Sequence, residues 1–146
     1  MSELKKGVFP ALIDDPYADD NTQPFWDFAL KGKMSTSKCV KCGTCILPPQ
    51  PRCFVCQSKD FEWIELPGTA TIYTYTVVRH PLRPNLQAIV PYVTAVIELD
   101  GTQGPGARLQ VNVINCDPEK VRIGDKVKVV FENVSDTYAM PRFEPA

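Results

Sequence analysis

Six cysteines and a single histidine set the chemistry open to this 146-residue chain, and five of the cysteines fall between positions 39 and 56. Cys39-Val-Lys-Cys42 and Cys53-Phe-Val-Cys56 are two CxxC pairs separated by ten residues. Two intervening residues let both thiolates of a pair meet one ion while backbone N–H groups bond the sulfurs. Four thiolates at tetrahedral geometry suit Zn2+, with iron the competing ion. Such a closed site leaves no position for water or substrate, so one structural zinc per chain is expected. Gly43 can take the left-handed backbone that closes the first knuckle. The second pair is followed by Gln57 instead, which argues against an iron electron carrier. A tetrathiolate site carries two negative charges; Lys38, Lys41 and Arg52 lie beside it, and no acid falls between 39 and 56. Cys45 reads as a spare thiol next to the site, and Cys116 as a small apolar residue.

His80 is the one side chain whose ordinary pKa lies near neutrality. Beside a proline it reads as a strand end more readily than as a base. Nucleophilic catalysis needs a base and an orienting group around Ser, Thr or Cys, and no such grouping is recognisable. From Glu65 to Glu98 the sequence holds no acid, only Arg79, His80 and Arg83. They sit on RHPLRPNLQAIVP, a loop long enough to suggest function. The loop also carries Leu82, Leu86, Ile89 and Val90, which are expected to be exposed. An apolar loop with a basic base suits an anionic ligand or a partner surface. GTQGPG at 101–106 holds no lysine and starts no helix, so it is a hairpin loop and not a phosphate cradle.

The elements that must position these residues follow from the pattern. Residues 1–38 form an N-terminal arm with a short helix, where Thr22 can cap, Pro24 fits the first turn and Gly32 ends it. Phe25 and Trp26 give that helix an apolar surface available to a partner or ligand. Residues 39–66 hold the cysteine cluster and the strand-like FEWIEL. From residue 67 to the end the chain alternates with period two, predicting strands over 69–78, 92–99, 108–115, 126–132 and 138–143. The last is restricted to an edge by Pro141, and Tyr73 and Tyr75 share a face of the first. Asp117 can cap one helical turn between the third and fourth strands. Five strands with that insertion have the order of an OB-fold barrel. The expected class is mainly β: a helical segment, a zinc ribbon and a five-stranded barrel.

Charge and length narrow the function. The formal net charge is −1, which disfavours a nucleic-acid binder that relies on bulk positive charge. No stretch approaches a membrane span or a signal-peptide core, so a cytoplasmic location is expected. A zinc ribbon beside an OB-fold nonetheless keeps single-strand nucleic-acid binding as an alternative.

The motifs PFW, CVKCG, ILPPQPRC, FVC, PGTATIYTYTVVRHP, PYVTAVIEL and IGDKVKVVFENV, in that order, resemble the acyl-CoA-associated OB-fold proteins with a rubredoxin-like zinc ribbon. That family is known as domain of unknown function 35. The resemblance spans residues 24 to about 143 and implies the small partner of a thiolase-superfamily enzyme acting on acyl-CoA thioesters. Members serve in acyltransferase complexes, beside acetoacetyl-CoA thiolase, and with lipid-transfer-type thiolases that cleave steroid side chains by retro-aldol chemistry. It implies a chain not catalytic alone, with acid–base groups on the large subunit, and a bulky steroid side-chain acyl-CoA as the leading substrate.

Overall fold

The computed structural model describes residues 18–146; the first seventeen residues of the expected arm lie outside them. Helix α1 spans Gln23–Leu30, with Pro24 in its first turn. Thr22 stands at the N-cap position but makes no side-chain bond to the helix. Its hydroxyl turns back to Asp19 Oδ1 at 2.9 Å, and this bond holds the Asp19 carboxyl below its usual range. The far end closes with Gly32 N donating to Ala29 O and Lys33 N to Phe28 O, the paired bonds of a Schellman stop.

α1 packs on both a small sheet and the barrel. Phe25 is only 8% exposed and belongs to the main core. This corrects its reading as contact surface: the helix is wedged between two elements and buries Phe25 and Ala29 against them, leaving Leu30 46% exposed. Trp26 is half-buried and edge-on to Phe25 (5.1 Å) and Tyr138 (5.7 Å).

The small sheet has the order β2-β1-β3, from β1 (Met34–Cys39), β2 (Cys45–Ile46) and β3 (Phe61–Leu66). β1 pairs with β3 from Met34↔Leu66 to Cys39↔Phe61. Its sequence MSTSKC is polar, yet Met34 to Ser37 are all buried. Thr36 Oγ1 (3.4 Å) and Ser37 Oγ both reach Ile46 O, which satisfies two of the three buried hydroxyls.

The barrel closes in the order β4-β5-β6-β8-β7. Its strands are β4 (Thr69–Val78), β5 (Tyr92–Leu99), β6 (Arg108–Val113), β7 (Lys126–Asn133) and β8 (Ala139–Pro145). All five expected strands form. Between β6 and β7, Asp117 Oδ1 accepts from Glu119 N at 3.0 Å and heads a hydrogen-bonded turn where a helical turn was expected. The β6–β8 seam is thin, a single parallel bridge at Val113↔Phe143. Side chains reinforce it: Arg142 donates to Asn112 Oδ1 on β6 (2.6 Å) and to Glu132 on β7 (3.0 Å). Pro141 lies two residues short of the bridge. β8 is therefore not an edge strand, but at Pro141 its β6 side carries no ladder partner and needs no N–H.

Two readings change along β4 and the loop after it. The pairing of β4 with β5 slips between Ile72 and Thr74, so Tyr73 is an extra residue. A bulge reverses which side chains face inward: Ala70 and Ile72 do so before it, Tyr75 and Val77 pack on the core after it. Tyr73 and Tyr75 therefore do not share a face. Tyr73 lies outside, 51% exposed, with the Arg108 guanidinium 4.0 Å from its ring. In the 79–91 loop, a 3-10 turn at Pro84–Leu86 tucks Leu86 into the core at 6% exposure, while Leu82 stands 82% exposed. Ile89 and Val90 are half-buried. The loop is thus anchored apolar surface with one projecting leucine.

Leu86→Ala should cost about 2–5 kcal/mol in urea unfolding, as expected for a buried leucine. Leu82→Ala should stay within about 0.5 kcal/mol. Equal costs would contradict the anchoring of this loop.

Candidate metal centre and its joint with the barrel

β1 delivers Cys39 at its last residue, and the chain then turns twice around the same point. In the first knuckle Gly43 N donates to Cys39 O at 2.8 Å; in the second, Gln57 N donates to Cys53 O at 2.9 Å. Each knuckle thus closes on the residue four after its first cysteine, and both closing residues are left-handed, Gly43 at φ 77° and Gln57 at φ 61°. The absent second glycine is therefore replaced by a strained glutamine. Cys39 N bonds Thr44 O and Cys53 N bonds Ser58 O, both at 2.9 Å, so the two knuckles repeat one pattern.

The four sulfurs of Cys39, Cys42, Cys53 and Cys56 lie within 4.8 Å of one another. Cys39–Cys56 and Cys42–Cys53 are each 3.5 Å apart. A zinc ion with four Zn–S bonds of about 2.3 Å needs a sulfur tetrahedron of edge about 3.8 Å, so the donor set and its spacing fit one zinc. Cys39 and Cys53 are fully buried, while Cys42 is exposed. Thr44 sets the charge on the outer side. Its hydroxyl, 3.2 Å from Cys42 Sγ, and then its backbone N–H lower the Cys42 thiol to about 6. At Cys56 the Ser58 backbone N–H lowers the pKa, but burial and the three neighbouring cysteines outweigh it and push the thiol up to about 11. Four sulfurs so close cannot all ionise without a cation among them; bound zinc supplies that charge and holds all four as thiolates.

Cys45 has a place that sequence reasoning missed. It is 1% exposed and sits where the ribbon meets the β5–β6 hairpin loop. Cys45 N donates to Gln103 O at 3.1 Å, and Gln103 N approaches Cys45 Sγ at 3.5 Å. The two loops touch closely, with a left-handed glycine on each side, Gly43 at φ 77° and Gly104 at φ 80°. A Cβ on Gly104 would come within 3.1 Å of Thr44 Cγ2, and one on Gly43 within 3.1 Å of Gln103 Oε1. GTQGPG is a hairpin loop, as its sequence indicates, and it also forms the joint between ribbon and barrel. The only advance signal was the density of glycine in this loop, at Gly101, Gly104 and Gly106.

The remaining candidates lie apart from the zinc site. Arg79, His80 and Arg83 are all exposed. Arg79 is ion-paired with Glu119 on the β6–β7 connection, whereas the side chains of His80 and Arg83 make no hydrogen bond or ion pair among the described residues. Cys116 is partly buried, and that burial, with Asp117 beside it, pushes its thiol up. Among the described residues, no helix is long and apolar enough to cross a membrane.

Residues 26–62 match the family model for the rubredoxin-like zinc ribbon domain of ChsH2, and residues 63–132 match the model for its C-terminal OB-fold domain. A DUF35 domain-containing scaffold protein of Methanothermobacter thermautotrophicus is 34% identical over 70% of this chain and 74% of its own length. One from Methanocaldococcus jannaschii is 38% identical over 68% of this chain and 67% of its own. This chain belongs to the DUF35 family. A probable enoyl-CoA hydratase alpha subunit of Thermomonospora curvata is 33% identical over 94% of the chain, which spans only 41% of that protein's length. Among solved structures, a chain of the Ltp2-ChsH2(DUF35) aldolase superposes with TM-score 0.76 at 29% identity, covering 89% of this chain and 98% of that one. A Sulfolobus solfataricus DUF35 protein of unknown function, at TM-score 0.64 and 22% identity, shares the fold. The DUF35 zinc ribbon and the four sulfurs agree on one structural zinc.

Metal analysis should find one zinc per chain. Cys53→Ser should lose it and unfold the ribbon, whereas Cys45→Ser should keep it and lower only the stability of the joint. Gln57→Gly should raise stability by about 1 kcal/mol, by removing the cost of a left-handed non-glycine residue, as read from the midpoint of thermal or denaturant unfolding.

Proposed function

We propose that this DUF35 protein is the accessory subunit of a heteromeric thiolase-like enzyme acting on acyl-CoA thioesters. The single observation that carries this reading is the superposition over nearly the whole DUF35-type chain of the Ltp2-ChsH2(DUF35) aldolase. The match to an enoyl-CoA hydratase subunit supports a CoA thioester as the substrate class. By the same likeness, the favoured reaction is retro-aldol cleavage of a β-hydroxyacyl-CoA. A base takes the hydroxyl proton, the Cα–Cβ bond breaks to leave a carbonyl, and the thioester enolate is protonated. A bulky substituent such as a steroid side chain is the leading substrate.

The acid–base groups of that reaction belong to the large subunit. The zinc here is closed by four cysteines, and the Cys116 thiol is held protonated by its surroundings. This chain contributes binding. The 79–91 loop carries its cations with no carboxylate in its own sequence, and its projecting Leu82 suits the pantetheine arm. Arg83, unpaired among the described residues, is the better phosphate ligand of the two arginines. Arg79 would first have to give up Glu119.

Co-expression with a thiolase-like large subunit, followed by size exclusion and an acyl-CoA cleavage assay, tests the reading. The large subunit should need this chain for solubility and turnover; equal folding and activity alone would sink it. Within the complex, Arg83→Ala should raise KM for the thioester about 3–10-fold at unchanged kcat, the pattern of a lost uniform binding contact. Arg79→Ala should do less. Unchanged KM in both would remove the loop from the substrate site.

A further inference from the structure

The two zinc knuckles do more than hold sulfur. Their apolar intervening residues are Val40, beside Lys41, in the first and Phe54 and Val55 in the second, and these three are 60%, 57% and 55% exposed. All three lie on turns whose cysteines surround one point, with sulfurs within 4.8 Å, so all three stand at the end of the ribbon that holds the sulfurs. A globular protein seldom exposes three large apolar side chains at one end without use for them.

The tip is also rigid. Besides the two knuckle-closing bonds, Val40 N donates to Asp60 O at 3.0 Å, and the metal fixes the rest. A partner would therefore meet a preorganised surface and lose little entropy in ordering it. Charge surrounds the apolar centre: from Lys38 to Lys59 the chain holds four cations and no carboxylate, while the chain as a whole is at −1. Counting the adjoining Asp60 and the two negative charges of a tetrathiolate zinc, residues 38–60 carry a net charge of +1.

From this geometry we infer that the ribbon tip, centred on Val40, Phe54 and Val55 and rimmed by Lys41 and Arg52, is a protein-docking surface. It fits an apolar recess on the large subunit that is flanked by carboxylates. Nucleic acid fits it less well. Valine offers no flat face for a base to stack on, and Phe54 is the one aromatic at the tip. The inference rests on the accessory-subunit reading and assigns it a contact distinct from the 79–91 loop.

The test uses the full chain, zinc-loaded, titrated against a thiolase-like large subunit at low and high salt. Phe54→Asp with Val55→Asp should weaken binding by about 30-fold or more, as for a central apolar anchor. Lys41→Glu with Arg52→Glu should weaken it about 5-fold at low salt and flatten the salt dependence. Both should keep one zinc per chain. If the aspartate pair loses zinc, Phe54→Ser with Val55→Ser takes its place, and together with the charge reversal it decides the matter. Wild-type affinity in zinc-replete variants overturns the docking surface while leaving the accessory reading intact. A wild-type chain that does not bind the large subunit overturns both. Tight binding of a fluorescent single-stranded oligonucleotide, lost in the same variants, overturns the docking inference in favour of nucleic acid.

Discussion

The metal end of the three-stranded sheet buries only Cys39, Ile46 and Cys53, backed by Cys56 and Phe61, while Met34, Cys45 and Leu66 of the same sheet join the main core; that end has too little apolar interior to hold its own shape. Small units of this kind need a metal or a crosslink in place of a core. The requirement that four sulfurs converge on one ion is therefore the constraint on which the N-terminal half depends. It fixes where β1 must end and forces both knuckles into the same backbone turn. It also places Gln57 in a conformation that glycine would adopt more easily. Because β1 is hydrogen-bonded along its length to β3, and β3 leads within three residues into β4, the same constraint reaches the barrel.

The barrel solves a different problem. Its core is large and continuous, and α1 contributes Phe25 to it, but its closure is weak in backbone terms, with one bridge between β6 and β8. Charge-assisted side-chain bonds do the joining there. Arg142 spans from Glu132 to Asn112, and Asn112 in turn reaches Thr94 on β5 at 3.2 Å. Glu132 is 8% exposed, so this ion pair is partly withdrawn from water. Removing one partner would leave a poorly solvated charge, which costs more than the pair contributes when whole.

Much of this was legible in the residues. The metal ligands follow from spacing alone, because two residues between cysteines is a geometric requirement of one ion. The barrel strands follow from alternation, because one face of each meets a continuous core. What escaped prediction was what non-local contact decides. MSTSKC shows no apolar alternation, and it becomes a strand because β3 pairs with it and Ile46 accepts its hydroxyls. The bulge at Tyr73 inserts one residue into an unbroken β-branched run, so nothing local marks it. Leu86 is one of four apolar residues on a loop, and only the turn that ends at it selects it for burial. Cys45 lies in the same short cluster as the ligands, and its neighbour across the joint is 58 residues away.

That joint has a mechanical consequence. Two reciprocal bonds between Cys45 and Gln103, with glycines packed against the facing chain on either side, remove the hinge that a ribbon strung before a barrel would otherwise have. The ribbon behaves as a handle welded to its tool. Torque applied at the knuckles turns the barrel by the same angle, so whatever grips one end also aims the other.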